Sequence, residues 1–286
     1  MPGDTALSQA SALLADFSLE MTAKDVPKLL EARPAIPAGT RINVTYLGHE
    51  TPEMRLAAVR AVRESGFVAV PHISARRLRS RAELEQFLGA LRDSGASENV
   101  FVVGGDPAVS EGPYEDSLAV LRSGLLPRYG VREVSVSGYP EGHPDIGDPV
   151  LWQAIESKHA LLREQGLAGT VITQFGFDAE AVLSYVEAVR ARGIELPIRV
   201  GVPGPAGVRR LLSYATRFGV ATSAGIAKKY GFSITNLLGT AGPDRFLNAL
   251  AARFDARRHG ELKTHFYTFG GLGATADWIA GFRARS

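Results

Sequence analysis

The sequence contains no cysteine. That excludes disulfides, thiolate nucleophiles, Cys-ligated zinc and iron–sulfur clusters. Neither sign of charge is in real excess: 32 Lys and Arg against 30 Asp and Glu leave a net charge of +2. The pI of about 8.9 comes from scattered arginines rather than a basic block, so no nucleic-acid partner is expected. No apolar run approaches the length that crosses a bilayer, and no membrane partner is expected either. Met1-Pro2-Gly3-Asp4 lacks a basic stretch followed by an apolar core, so no secretory signal is read and a cytoplasmic protein is expected. Internal repeats and low-complexity linkers are missing too. A chain of 286 residues, 45% hydrophobic and 22% charged, then fits one domain over residues 1–286.

What is present is alternation. Short β-like runs lie at Asp16–Glu20, Arg41–Tyr46, Val68–Pro71, Asn99–Gly104, Glu133–Ser137, Gly169–Gln174, Pro197–Val202 and Thr264–Thr268. Several are continuously apolar, such as Val100-Phe101-Val102-Val103, as expected of strands covered on both faces. Helical patterns separate them. Thr51–Ser65 has a Thr cap, Pro at the first helical position and Glu53 in the first turn. Arg81–Ser94 and Asp178–Arg192 are similar, with Gly193 as a stop signal after the latter. Eight strand–helix units in this length predict a closed (β/α)₈ TIM barrel, with a doubly wound open sheet as the alternative. Thr222–Leu238 fits the pattern least and is read as an irregular insertion before the last strand.

Polar residues gather where the strands end. Glu20, Thr45, His72, Asp106, Tyr139, His143 and Gln174 all lie at or just after candidate strand ends, which in a barrel converge on the mouth where active sites form. Ser137-Gly138-Tyr139-Pro140-Glu141-Gly142-His143-Pro144 is a turn stiffened by two prolines, suited either to a preorganised ligand site or to a plain surface connection. Glu20, ending an apolar first strand, is a partly desolvated carboxyl suited to general-acid work, or a solvated loop Glu. In Gly104-Gly105-Asp106-Pro107 the glycines admit a flat ligand close to the backbone, and Asp106 accepts from a heterocycle N–H or forms an Asx turn. Gln174 offers amide donors and an acceptor to a pterin-like edge. Phe175 and Phe177 stack on an aromatic ligand, or are core aromatics beside a helix capped by Asp178.

Taken together, Phe17-Ser18-Leu19-Glu20, Val44-Thr45-Tyr46, Val70-Pro71-His72-Ile73, Gly104-Gly105-Asp106, Tyr139-Pro140-Glu141-Gly142-His143-Pro144, Ile172-Thr173-Gln174-Phe175 and His265-Phe266-Tyr267-Thr268 resemble, in order, the methylenetetrahydrofolate reductase family. The resemblance implies a (β/α)₈ barrel holding FAD at its mouth. It implies interconversion of 5,10-methylenetetrahydrofolate and 5-methyltetrahydrofolate with NAD(P)H as electron source, in ping-pong fashion on one flavin face. The protein would act in one-carbon metabolism, serving methionine synthesis or, run backwards, methyl oxidation, and would be a homo-oligomer. By the same resemblance Glu20 is the general acid that opens the methylene bridge, and Asp106 the acid near the flavin and pterin rings. Thr45, His72, Asp106, Tyr139 and His143 are the flavin-site residues, Gln174 meets the folate, and Tyr214 stacks on the substrate ring or on the folded dinucleotide; from the residues alone, Gly105 is added to the cofactor site and Phe177 to the substrate site. No metal ligand set is implied.

Three positions depart from the family pattern. Met21-Thr22-Ala23 replaces aromatic or Pro-rich residues, and Gly104 stands where bacterial members carry Arg. Lys158-His159-Ala160-Leu161-Leu162-Arg163 lacks the basic pair that usually meets the flavin pyrophosphate, unless Lys158 or Arg163 substitutes. A relative that passes hydride directly from the nicotinamide to the folate is therefore a variant reading. Others are a metal-dependent barrel lyase or aldolase built on Glu20, His72 and Asp106, and a non-catalytic folate-binding relative. Lys228-Lys229 reads as a solvated basic face, Gly270-Gly271-Leu272-Gly273 as an easy passage into the closing helix, Trp152 and Trp278 as core or interface, and His49, His159 and His259 as solvent-facing.

Overall fold

The computed structural model describes residues 10–217 and 240–285. The expected insertion at Thr222–Leu238 and the Lys228-Lys229 pair lie outside these residues. Seven strands, β1 (Ser18–Met21), β2 (Arg41–Val44), β3 (Val68–Ser74), β4 (Asn99–Val103), β5 (Glu133–Gly138), β6 (Ala168–Phe175) and β7 (Ile198–Pro203), are followed by a two-residue antiparallel ribbon, β8 (Ala206–Gly207) with β9 (Thr240–Ala241), and then by β10 (Leu262–Tyr267). All but β8 and β9 close into one parallel barrel, β1 pairing with both β2 and β10. With helices following its strands, this is the (β/α)₈ barrel expected.

The helices are α1 (Val26–Ala32), α2 (Pro52–Glu64), α3 (Arg81–Asp93), α4 (Ser117–Arg122), α5 (Leu125–Arg128), α6 (Asp148–Glu164), α7 (Ala179–Ala191), α8 (Val208–Arg217), α9 (Asp244–Arg253), α10 (Ala256–His259) and α11 (Leu272–Arg285). Their ends follow local chemistry. Thr51 Oγ1 accepts from Met54 N, and Asp178 accepts from Glu180 N. Gly193, at φ +72°, ends α7 in the left-handed conformation that favours glycine.

Alternation along each strand sorts side chains between two cores. Leu19, Ile42, Ile73, Val100, Val102, Val134, Val136, Val171, Val200 and Phe266 face outward and are buried under the helices. The inner face carries Val70, Phe101 and Ile172 as a small apolar plug. Register then places Glu20 beside Asn43, Asn43 beside Val70, and His72 beside Phe101, so the polar residues of β1, β2 and β3 share the barrel interior with that plug.

The opposite, N-terminal end is a charged floor. Arg41 holds Glu133 through two hydrogen bonds of 2.8 Å, Thr170 donates to the same Glu133, and Arg199 and Lys263 share Asp16. Burial would raise the Glu133 carboxyl, but the Arg41 bonds and charge outweigh it and hold the group below the ordinary range. A cavity of about 600 Å³ opens here, lined by Arg41, Glu133, Thr170, Arg199 and Lys263. Its strand-borne charges are already paired with carboxylates, which marks it as a structural floor rather than the reaction site.

Candidate active site

The mouth is organised around β1 and β10. Ser18 and His265 are register partners, so their side chains meet inside the barrel. Ser18 Oγ lies 2.9 Å from His265 Nδ1, and His265 Nε2 lies 3.3 Å from Glu20 Oε2. His265 is wholly buried, whereas the Glu20 side chain keeps 22% of its exposure. A serine–imidazole–carboxylate chain thus runs from the interior to a carboxyl that opens on the mouth. Such a chain carries a proton toward or away from Glu20 by switching imidazole tautomer. Thr268 Oγ1 donates to the Glu20 carbonyl at 2.6 Å and ties the end of β1 to the residue after β10. Tyr267, two residues on from His265, packs edge-on to it at 5.0 Å and donates to Thr173 O. Burial, reinforced by the charge of Glu20, pushes the Tyr267 hydroxyl well above its ordinary pKa, so it stays a donor.

His72 lies inside β3, which runs on through Pro71 to Ser74 rather than stopping at the proline. Its ring meets Phe101 edge-on at 4.7 Å, and its Nε2 is buried without a hydrogen-bond partner among the described residues. Asn43 Oδ1, on the neighbouring strand, is in the same condition. Unsatisfied buried polar atoms are uncommon, and two of them on the inner face of one barrel mark a place prepared for a polar ligand. Burial pushes His72 down to about 4; the Glu20 charge opposes this and His265 adds to it.

That value carries a stability consequence. The folded-state pKa lies below that of an unfolded histidine, so the unfolded chain takes up the proton first as pH falls. Stability is full above about pH 6.5 and declines toward pH 4, by about 2 kcal/mol between pH 7 and pH 5. His72→Phe is expected to remove most of this acid sensitivity, measured as the difference in urea midpoint between pH 7 and pH 5. An undiminished difference would mean that the ring is solvated.

The other expected residues are placed as follows. Thr45 is buried, and its hydroxyl donates to Met21 O at 3.1 Å, joining β1 to β2. Glu50, also buried, accepts from Ala23 N and Leu47 N, so the loops after β1 and β2 are stapled together. Tyr139 and His143 pack edge-on at 5.2 Å across the Pro-rich turn. The turn rests on the Tyr185 hydroxyl, which lies 2.6 Å from where a Cβ on Gly138 would sit. Gln174 lies within a register shift in β6, between Ile172 and Phe175, and its Oε1 accepts from Phe175 N. Bulges of this kind re-aim side chains beside active sites.

Asp106 stands on the rim, its carboxylate gripped by Arg77 at 2.8 and 2.7 Å. The Arg77 hydrogen bonds hold its pKa below the ordinary carboxylate range. Gly105 has φ +95°, and a Cβ there would lie 2.2 Å from Ser74 Oγ, so this position requires glycine. Tyr214, on α8, stacks face to face on Phe269 at 4.1 Å. Phe177 is 1% exposed and sits edge-on behind Phe175, so it backs the aromatic wall instead of presenting a face to a ligand.

Some expectations need correction. His259 is not solvent-facing; it is buried, accepts from Asp255 N, and meets Glu187 at 3.0 Å. Lys158 is buried in the helix layer, where desolvation lowers its pKa against the charge of Asp116, and Arg163 lines the N-terminal cavity. Among the described residues no three His, Cys, Asp or Glu side chains converge as metal ligands, which removes the geometric support for a metal-dependent lyase built on Glu20, His72 and Asp106. No helix of the described residues is long and apolar enough to cross a membrane.

His265 and Arg77 were missed as site residues. The signal for His265 was a histidine two residues from a tyrosine within a strand-like run, which alternation puts on one face.

An acid–imidazole pair and two unsatisfied polar atoms thus stand together at the mouth of a parallel barrel, the end at which barrel enzymes carry their sites. The family model described as methylenetetrahydrofolate reductase matches residues 15–221, and the chain belongs to that family. It is 29% identical over 177 residues to a 5,10-methylenetetrahydrofolate reductase of Pectobacterium carotovorum, covering 61% of this chain and 57% of the relative. It is 28% identical over 133 residues to methylenetetrahydrofolate reductase (NADH) 1 of Arabidopsis thaliana, covering 42% of this chain and 22% of that protein. The chain therefore matches little more than half the length of the first of these relatives. Among solved structures, dihydropteroate synthase of Thermus thermophilus is similar in fold, with a TM-score of 0.51 at 15% identity, covering 96% of this chain and 95% of that one.

Proposed function

We propose that this chain interconverts 5,10-methylenetetrahydrofolate and 5-methyltetrahydrofolate, with NAD(P)H as hydride donor in the reducing direction. The observation that carries the reading is the Ser18–His265–Glu20 chain. Reduction needs a proton on folate N10 so that the methylene bridge opens to an electrophilic iminium. Hydride then adds to the methylene carbon, giving the N5-methyl group and NAD(P)⁺. Glu20 supplies that proton, and His265 links its carboxyl to the Ser18 hydroxyl within the barrel. His72 Nε2 and Asn43 Oδ1 offer hydrogen-bonding atoms to the heterocycle, and Gln174 and Asp106 flank it from β6 and β4. Tyr214 and Phe269, already stacked, form an aromatic wall.

FAD is the further group that the resemblance implies, supplying a relay for hydride when bound. The α6 helix does not supply the basic pair that the resemblance implies for its pyrophosphate. α6 has no Lys or Arg before Lys158, and Lys158 is buried. The Arg77 guanidinium is engaged by Asp106 and Glu111. A pyrophosphate seated on α6 would lack the charge-assisted hydrogen bonds that normally hold it. We therefore favour direct transfer of hydride from the nicotinamide to the folate.

The test uses NAD(P)H carrying deuterium at both C4 positions, with methylenetetrahydrofolate as acceptor. Full retention of deuterium in the product methyl group is expected, with intersecting initial-rate lines and no absorbance band near 450 nm in purified protein. A flavin N–H exchanges with water, so label washout, parallel lines and a 450 nm band would restore the flavin-dependent reading. No methyl product with either nicotinamide would overturn the reductase reading itself.

A further inference from the structure

The best-built polar device on the rim is the one that grips Asp106. Arg77 follows β3, and its side chain is only 15% exposed, whereas that of Asp106 is 66% exposed. The arginine is seated from several sides. Its guanidinium lies 5.5 Å from the centre of the Tyr46 ring, which Arg55 also faces at 3.7 Å. Gly48 leaves it room: a Cβ there would sit 2.5 Å from both terminal nitrogens. Glu111 stands 3.7 Å away and is itself paired with Arg79. The loop carrying Asp106 is tied to the same place, since Arg76 N donates to Gly104 O and Glu111 N donates to Arg76 O. The cation is thus fixed by its surroundings, and the exposed carboxylate is fixed by the cation.

We propose that Arg77 is a positioning residue acting through Asp106, fixing that carboxylate at the rim so that its remaining acceptor positions take the paired N–H donors of the folate heterocycle. An ionised carboxylate offers about four lone-pair sites, and a bidentate arginine uses two of them. The two that remain match an edge with adjacent N–H groups. The proposal rests on the folate reading given above. The charged groups around Asp106 are Arg77, Glu111 through Arg77, and Arg217 from α8, whose charge also favours the ionised form.

The experiment is a calorimetric titration of the full chain with 5-methyltetrahydrofolate between pH 4.5 and pH 8, for wild type, R77M, R77K, D106N and the double variant R77M/D106N. R77M is expected to weaken binding about tenfold. It is also expected to move the acid limb of the affinity profile to higher pH, because Asp106 loses the partner that keeps it ionised. R77K restores part of the affinity and so carries the test if R77M folds poorly. In the D106N background R77M is expected to add less than a twofold change, because both substitutions break one interaction. Unchanged affinity and acid limb in R77M overturn the proposal. So does a further tenfold loss in the D106N background, which would mean that Arg77 contacts the ligand itself. Wild-type protein that binds no folate at any pH overturns the underlying functional reading, and the proposal with it.

Discussion

Glu20→Gln is expected to lower methylenetetrahydrofolate turnover by about 10²–10⁴-fold, the usual contribution of a positioned general acid, while nicotinamide binding stays close to wild type. Glutamine preserves the size of the side chain and can still meet His265 Nε2, so the barrel seam between β1 and β10 remains closed. What is lost is the transferable proton. Single-turnover formation of 5-methyltetrahydrofolate, with nicotinamide affinity followed separately by fluorescence, separates the two effects. A graded series follows from the geometry. His265→Gln breaks the link at 2.9 and 3.3 Å on either side of the ring and falls between Glu20→Gln and Ser18→Ala, which leaves the carboxyl and imidazole in place. A loss of less than tenfold in Glu20→Gln, or equal loss of nicotinamide binding, would remove Glu20 from the proton's path.

The fold was largely legible because its strands are short apolar runs set between helices with strong local punctuation. Every barrel strand overlaps a run expected from sequence. The caps at Thr51 and Asp178 and the stop at Gly193 fall where their chemistry put them. Boundaries slipped where backbone pairing decides and side chains do not. β3 continues through Pro71 to place His72 inside the barrel, and β1 begins at Ser18, after Asp16 has turned to the floor with Arg199.

The site was legible in part, for a related reason. Residues at strand ends, such as Glu20, are visible as polar breaks in apolar runs. Residues whose role comes from a partner distant in sequence are not. His265 acquires its meaning from Ser18 and Glu20 across the barrel seam, about 245 residues away. Arg77 sits in Ala75-Arg76-Arg77-Leu78-Arg79, where nothing local separates the arginine seated beneath Tyr46 from half-buried Arg76 and exposed Arg79. The Arg77 guanidinium reaches the turn that carries Gly104 and Asp106 from the segment after β3. His259 was misread because Arg257 and Arg258 make its stretch look solvated, while the helical turn folds the ring inward onto Asp255 N.

Gly201→Ala is expected to be the most damaging small substitution in the barrel wall. The bulge in β6 brings its backbone against β7: a Cβ on Gly201 would lie 2.4 Å from Thr173 O and 2.7 Å from the Gln174 carbonyl carbon and oxygen. These are backbone atoms within a closed sheet, so no rotamer change relieves the clash and the seam must open. Overpacking of this kind costs about 3 kcal/mol, which for a chain of this size lowers the melting temperature by roughly 6 to 10 °C. The same displacement disturbs the hydrogen bond from Tyr267 to Thr173 O and the backbone that carries Gln174, so folate affinity should fall with stability. Gly104→Ala is the comparison: its Cβ would meet nothing within 4 Å, and its melting temperature should stay within about 2 °C of wild type. Equal melting temperatures for the two variants would mean that β6 and β7 are not held in the bulged register on which the placement of Gln174 and Tyr267 depends.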